Sequence, residues 1–336
     1  MNLEPIEPEH AVELYLDDRR EELADLTYST HRSRLSHFIQ WCDERDIDNL
    51  NELTGRLLYE YRVWRRRDGN LSKPSLKSQM DTLRVFIRWL ESIEGVAPDL
   101  HMKVRAVTLT AEENSRDVLL TPAEADGILE YLGKYSYASL QHVTIALLWH
   151  TMLRRGSARA LDLSDYDAEE QSIAVQHRPD SDTPLKNGHN GERLVALSDW
   201  MCDLLDDWIA MQRPNVEDEF GREPLLATTH GRIHQSTIST YVYRLSRPCV
   251  YSGACPHDRD IDSCEATGPD SASKCPSSVS SHAIRRGAIT HHLNSNVPEN
   301  VVGGRADVSQ DVLEQHYDRR SDREKMEQRR KFLDSL

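Results

Sequence analysis

The sequence has no stretch of roughly eighteen apolar residues, the length a membrane-spanning helix needs, so a membrane protein is not expected. Its first residues, MNLEPIEPEH, lack both a basic segment and an apolar core, so a secretory signal is not expected either. Cysteine is scarce: there are six, four of them between Cys249 and Cys275, unlike the framework of a secreted disulfide protein. The expected location is the cytoplasm. No internal repeat is present, which argues against a solenoid. An excess of positive charge is missing as well. The net charge is −15, with few lysines and many aspartates, so a uniformly basic surface is excluded. Any nucleic-acid contact must come from basic residues gathered on one face. This acidic balance is also that of proteins from salt-loving organisms, where screening weakens self-repulsion.

What is present is length enough for two domains: 336 residues, 38% hydrophobic and 29% charged. Residues 1 to 100 read as a helical bundle. Leu35, Phe38, Ile39 and Cys42 recur at helical spacing, as do Leu83, Phe86, Ile87, Leu90 and Ile93; Ala11, Leu14 and Tyr15 begin a similar stripe. Arg32, Arg34, Lys73, Lys77, Arg84 and Arg88 lie on the polar faces. Any one such cluster suits a solvated face, but together they suit a domain that grips phosphates and sets register. Residues 101 to 118 lose the periodicity and read as a linker. A second domain, 119 to 336, opens on Thr121-Pro122-Ala123-Glu124, a capping-box start with proline in the first turn. Between about 171 and 197 the segments SIAVQH and RLVAL alternate as a hairpin would, around a polar loop holding Lys186. Helices are expected again from Trp200, Ser236, Ser281 and Asp311. The fold class is therefore mainly α with a small β-sheet.

Three pieces carry chemistry. Thr151-Met152-Leu153-Arg154 puts an arginine directly after an apolar helix, costly unless the charge is paired or used. His282-Ala283-Ile284-Arg285 sets two side chains on one helix face. Gln315-His316-Tyr317-Asp318 sets a tyrosine near the chain end. Each is weak alone. In this order they resemble the tyrosine recombinase and phage integrase family, of the Xer-like kind. That family has an arginine in T-G-L-R, a lysine on a β-hairpin, H-x-x-R, a further His or Trp, and then the tyrosine nucleophile. Here Arg154 stands in T-M-L-R, Lys186 in the hairpin loop, His282 and Arg285 in H-x-x-R, and Tyr317 at the nucleophile.

The resemblance covers nearly the whole chain. It implies a helical, SAM-like core-binding domain followed by an α+β catalytic domain. It also implies a site-specific recombinase acting on double-stranded DNA with an inverted-repeat site, assembled as a homotetramer. The tyrosine hydroxyl would attack phosphorus, giving a covalent 3′-phosphotyrosine and a free 5′-hydroxyl. Arg154 and Arg285 would hold the nonbridging oxygens, Lys186 would protonate the leaving oxygen, and His282 would act as base or relay. No metal is required for that chemistry. One position departs. Counting back from Tyr317, Asp307 falls where the family has the glycine of L-G-H, and Val308 falls at the histidine. Aspartate tolerates a left-handed backbone; valine donates no hydrogen bond. Arg305 and His316 are the remaining candidates for that donor.

Cys249, Cys255, Cys264 and Cys275, with His257 close by, fall in an irregular insert at about 249 to 276. Their spacing lacks the tight knuckle of zinc modules. Free thiols are one reading; a structural zinc on the four cysteines, with His257 as alternative ligand, is the other. The insert and the acidic balance resemble haloarchaeal members of the family. Rival functions are a catalytically silent DNA-binding regulator of the same fold and a type IB topoisomerase-like relaxing enzyme.

Overall fold

The computed structural model describes residues 3–67, 69–110, 118–268, 270–317 and 322–330. The chain divides into two units, Met1–Arg116 and Asp117–Leu336. None of the described helices is long and apolar enough to cross a membrane.

The first unit contains α1 (Pro8–Asp18), α2 (Asp25–Asp43), α3 (Gly55–Arg67) and α4 (Lys73–Ser92). Ser72 starts α4 by accepting a hydrogen bond from the Ser75 amide, and a proline in the first turn removes an amide that has no helical partner. The apolar spacing then does its work. Leu83, Phe86, Ile87 and Leu90 bury against Leu35, Phe38 and Cys42, and Tyr61 meets Phe38 edge to face at 5.4 Å. Each such large side chain contributes about 1.5–3 kcal/mol by leaving water. Two residues of the expected stripes turn outward. Leu14 faces away from the face that Ala11, Val12, Tyr15 and Leu16 present, and Ile93 lies beyond the last turn of α4. The chain keeps packing past α4: a 3-10 turn at Leu100–Lys103 buries Leu100, and Val104 follows it into the same core. Residues 101–104, expected as linker, therefore belong to this unit's packing.

In the second unit α5 (Pro122–Tyr135) begins with the capping box, Thr121 and Glu124 exchanging side-chain and backbone bonds. Helix α6 (Leu140–Thr151) is buried on almost every side and forms the centre of the core, as an all-apolar helix must. It is followed by α7 (Arg155–Ala160). Strands β1 (Tyr166–Asp167), β2 (Ser172–Val175) and β3 (Arg193–Ala196) form an antiparallel sheet in that order, with Ile173 opposite Val195. Helix α8 (Asp199–Asp207) ends in a π-turn over Trp208–Gln212. A second ribbon, β4 (Ala227–Thr228) with β5 (Gly231–Arg232), leads to α9 (Gln235–Leu245) and α10 (Pro248–Tyr251). Then come α11 (Ser281–Asn294), α12 (Glu299–Ala306), α13 (Gln310–His316) and α14 (Asp322–Arg330). The described architecture is thus mostly helical with small antiparallel sheets, as the periodicity predicts.

Two features position the site. Asp162 and Asp165, both buried, are neutralised by Arg178, Arg222 and Arg232, so the edge of the sheet and the β4–β5 ribbon share one ion-pair network. Helix α11 lies against the start of the unit: the Leu120 amide donates to the Ala283 carbonyl at 3.1 Å. A Cβ on Gly287 would come within 1.9 Å of the Leu120 carbonyl oxygen, so only glycine permits this approach.

Candidate active site

Helix α6 ends because Met152 adopts a left-handed conformation, φ +57°, which breaks the helical hydrogen-bond series. This is the T-G-L-R glycine position, and Met152 meets the same backbone demand while burying its side chain completely. The reversal sets Arg154 just ahead of α7, with its side chain partly exposed. From α11, Arg285 reaches in from a buried position and donates to the carbonyls of Met152 and Ala306, the latter at 2.6 Å. A guanidinium has five N–H groups, so donors remain. One interaction left to it is with the Tyr317 side chain, which partly offsets the effect of burial. Burial, followed by the repulsion of Arg154, lowers the Arg285 pKa to about 10, so it stays cationic at neutral pH.

Tyr317 closes α13, its amide donating to Leu313 at 2.9 Å and its carbonyl accepting from Thr290 Oγ1 at 3.3 Å. Tyr317 is 5% exposed, so it is held within the site rather than in solvent. His282 lies among Arg286, Arg285, Lys186 and Arg154. Burial chiefly, and these cations next, push its pKa below the ordinary imidazole value, which leaves it neutral and able to accept a proton. Lys186 is exposed in the loop between β2 and β3. Arg154, Lys186, His282, Arg285 and Tyr317, far apart in sequence, thus converge.

The Asp307 position is more active than its sequence suggests. Its backbone is left-handed, φ +55°, as a stand-in for glycine must be. Its carboxylate pairs with Arg154, whose other terminal nitrogen donates to the Asp307 carbonyl at 2.9 Å. Asn187 Nδ2, from the loop next to Lys186, donates to the same carboxylate at 2.9 and 3.0 Å. Val308 supplies only its amide, to the Gly303 carbonyl at 3.0 Å. Arg305 bonds the carbonyls of Ala196, at 2.6 Å, and His150, at 3.0 Å, so it braces the sheet rather than pointing a donor at a substrate. The His316 side chain lies outside the described residues.

Sequence reading missed Asn187, the Asp307 carboxylate and Arg193. Arg193 lies near Arg154 and Asp307, bonds the Arg305 and Gly191 carbonyls, and has its pKa lowered chiefly by burial. A signal for it existed: on β3 it shares a face with buried Val195, while Leu194 points out at 74% exposure. A charge on the inward face of a strand calls for a use.

The cysteine insert is irregular, with short 3-10 turns at Glu265–Thr267 and Ala272–Lys274. Its thiols are free. Cys249 lies near enough to Cys275 and Cys255 to feel their charge, and burial first, then these neighbours, raise its pKa. His257 Nε2 is engaged with Ser277 Oγ at 2.9 Å. Among the described residues no three His, Cys, Asp or Glu side chains are arranged to hold a metal ion, so of the two readings the zinc on Cys249, Cys255, Cys264 and Cys275 does not fit this arrangement as it stands.

In the first unit Arg32, Lys73 and Arg88 are exposed. Arg34 is turned inward to the Ser78 carbonyl and Thr82 Oγ1, Arg84 to the Val104 carbonyl at 2.6 Å, and Lys77 pairs with Asp81 at 2.7 Å. An open groove of about 620 Å³ runs between α2 and α4, lined by Thr30, Ser33, Arg34, Ser75 and Ser78 among others. Hydroxyls of this kind suit backbone phosphates.

Residues 12–93 match the family model described as the phage integrase N-terminal SAM-like domain. No curated protein sequence matches the chain. Among solved structures, the N-terminal domain of a phage integrase/site-specific recombinase from Haloarcula marismortui is 37% identical over 31% of this chain and 98% of its own, with a TM-score of 0.30. The Tn1549 transposon integrase in complex with a circular intermediate DNA is 16% identical, covering 95% of this chain and 98% of its own, with a TM-score of 0.66. A lambda integrase tetramer bound to a Holliday junction is 13% identical, covering 95% and 80%, with a TM-score of 0.65. Residues 12–93 are thus a phage integrase N-terminal SAM-like domain, and the chain has the fold of the tyrosine recombinases.

Proposed function

We propose that this chain is a site-specific DNA recombinase that cuts and rejoins DNA through a covalent 3′-phosphotyrosine on Tyr317. The observation that carries the reading is the convergence of a tyrosine held against a buried arginine with a second arginine, an exposed lysine and a neutral histidine. The tyrosine oxygen attacks phosphorus in line, and the P–O5′ bond breaks as the P–O(Tyr) bond forms. Arg154 and Arg285 take up the charge that grows on the nonbridging oxygens; removing one such donor costs about 10²- to 10³-fold in rate. His282, uncharged, accepts or relays the phenolic proton, and Lys186 protonates the departing 5′ oxygen. The reverse attack by a 5′-hydroxyl of another strand completes the exchange.

The substrate in this reading is double-stranded DNA with an inverted-repeat site, held by Arg32, Lys73, Arg88 and the α2–α4 groove of the first unit. Four protomers assemble on two duplexes, as in the lambda integrase tetramer on a Holliday junction. Helix α14 packs on a neighbouring protomer and couples cutting to assembly; cooperative synapsis by a chain truncated after Arg323 would remove that role. The site of action is the cytoplasm. A zinc at the cysteine insert would require the four thiols to close on one point, and one equivalent of the metal in pure protein would be its mark.

The test is to express the chain in a high-salt host, lyse in SDS, and sequence the DNA that stays attached. Attachment at a discrete inverted repeat, absent in Tyr317→Phe, is the expected outcome. Specific binding without attachment, repeated on a nicked substrate that blocks rejoining, would favour the silent regulator, for which Val308 is the specific support. Relaxation of supercoils without strand exchange would favour the topoisomerase.

A further inference from the structure

The geometry points to Asn187 as a catalytic residue that supplies the donor Val308 cannot, acting on a nonbridging oxygen of the scissile phosphate. The inference rests on the recombinase reading above. Its starting point is what the Asp307 carboxylate is doing. Arg154 and Asn187 come from different elements, the end of the turn after α6 and the β2–β3 loop, yet Arg154 Nη1 and Asn187 Nδ2 both donate to this single carboxylate. Arg193 lies close enough to add to its field. A carboxylate and a phosphate present the same feature to such donors, an anionic oxygen able to accept several charge-assisted hydrogen bonds. The Asp307 carboxylate therefore stands where a nonbridging phosphate oxygen belongs, at the one point that Arg154 and Asn187 both reach.

DNA must exchange with that carboxylate, since two anions cannot share the donors. Asn187 is exposed, and Asp307 and Arg154 are partly so, which leaves the point open to a duplex phosphate. On exchange Arg154 brings charge and Asn187 a neutral, directional N–H to the same oxygen. A neutral donor is what a histidine or tryptophan in the valine's place would offer. Arg305 cannot fill that role while its terminal nitrogens bond the Ala196 and His150 carbonyls.

The experiment is single-turnover cleavage of a trapped duplex by wild type and Asn187→Ala, on phosphodiester and on each diastereomer of a methylphosphonate at the scissile position. Asn187→Ala is expected to slow phosphodiester cleavage by about 10²-fold. The defect should vanish on the diastereomer in which methyl replaces the contacted oxygen and persist on the other. Equal defects on both diastereomers, or no defect on phosphodiester, would overturn the assignment. Asp307→Asn, which removes the competing charge and keeps a residue tolerant of the left-handed backbone, is expected to bind site DNA more tightly. Weaker binding would mean that the carboxylate orients Arg154 instead, and the inference would fall. Absence of any adduct from wild type would sink the recombinase reading itself, a result separate from an Asn187→Ala enzyme that matches wild type.

Discussion

Gly287 sits two residues after Arg285 with no room for a single added methyl, since that atom would lie 1.9 Å from the Leu120 carbonyl oxygen. Gly287→Ala must push α11 away from Leu120, and overpacking of this kind costs about 1–3 kcal/mol. Thermal melting should register the loss, and cleavage should fall further than stability does, because His282 and Arg285 ride on the displaced helix. An unchanged melting temperature would mean that the approach is looser than described. At this scale the sequence was legible where a residue type is rare in its setting. An arginine after an apolar helix and H-x-x-R on one helix face both declared themselves. Asn187 did not, because an asparagine in a polar loop is ordinary; only its partner makes it notable. Asp307 was readable as a backbone substitute, whereas the use of its carboxylate depends on Arg154, distant in sequence.

The β2–β3 loop carries Lys186 on a limb that two arginines tie down. Arg159, at the end of α7, bonds the Asp182 carbonyl at 2.5 Å and its carboxylate at 2.6 Å, and Arg222 holds the Ser181 carbonyl at 2.7 Å. Helix α7 begins beside Arg154, so one short helix fixes both the arginine proposed to hold the phosphate and the limb bearing the lysine. Arg159→Ala should therefore misplace Lys186, the proton donor of the proposed reaction, and a displacement of about 1 Å can cost 10²-fold in rate. A substrate with sulfur in place of the bridging 5′ oxygen leaves without protonation, so it should restore both Arg159→Ala and Lys186→Ala. Rescue of Lys186→Ala alone would mean that Arg159 supports the fold and not the lysine. Elements were the most legible level, since the capping box at Thr121, the hairpin and the helix from Ser281 all follow from local spacing. The outward turn of Leu14 and the packing of residues 101–104 depend on neighbours that spacing does not encode.

Across the second unit several imidazoles are folded away uncharged. His142, His150, His282 and His292 all have pKa values lowered chiefly by burial, that of His150 to about 4. His150 Nε2 also accepts from the Ser198 amide at 3.2 Å, a bond that protonation abolishes. Above pH 6.5 neither folded nor unfolded chain protonates His150, and its full stabilising share is present. As pH falls from there toward 4 the unfolded chain binds a proton that the folded chain refuses, and about 3 kcal/mol is lost from this residue alone. Denaturant unfolding of the whole protein should show stability falling steeply between these limits, with His150→Gln flattening the slope. A stability independent of pH in that window would contradict the burial of these rings. Two-domain organisation and the acid balance were visible in length and charge, but the burial of these four histidines was not, because their spacing has no period.

The bond between Leu120 and Ala283 has a mechanical side. Leu120 stands near the start of the second unit, and its amide is bonded to the helix carrying His282 and Arg285. His282 and Arg285 are thus moored where the second unit begins, so whatever displaces Leu120 displaces them with it.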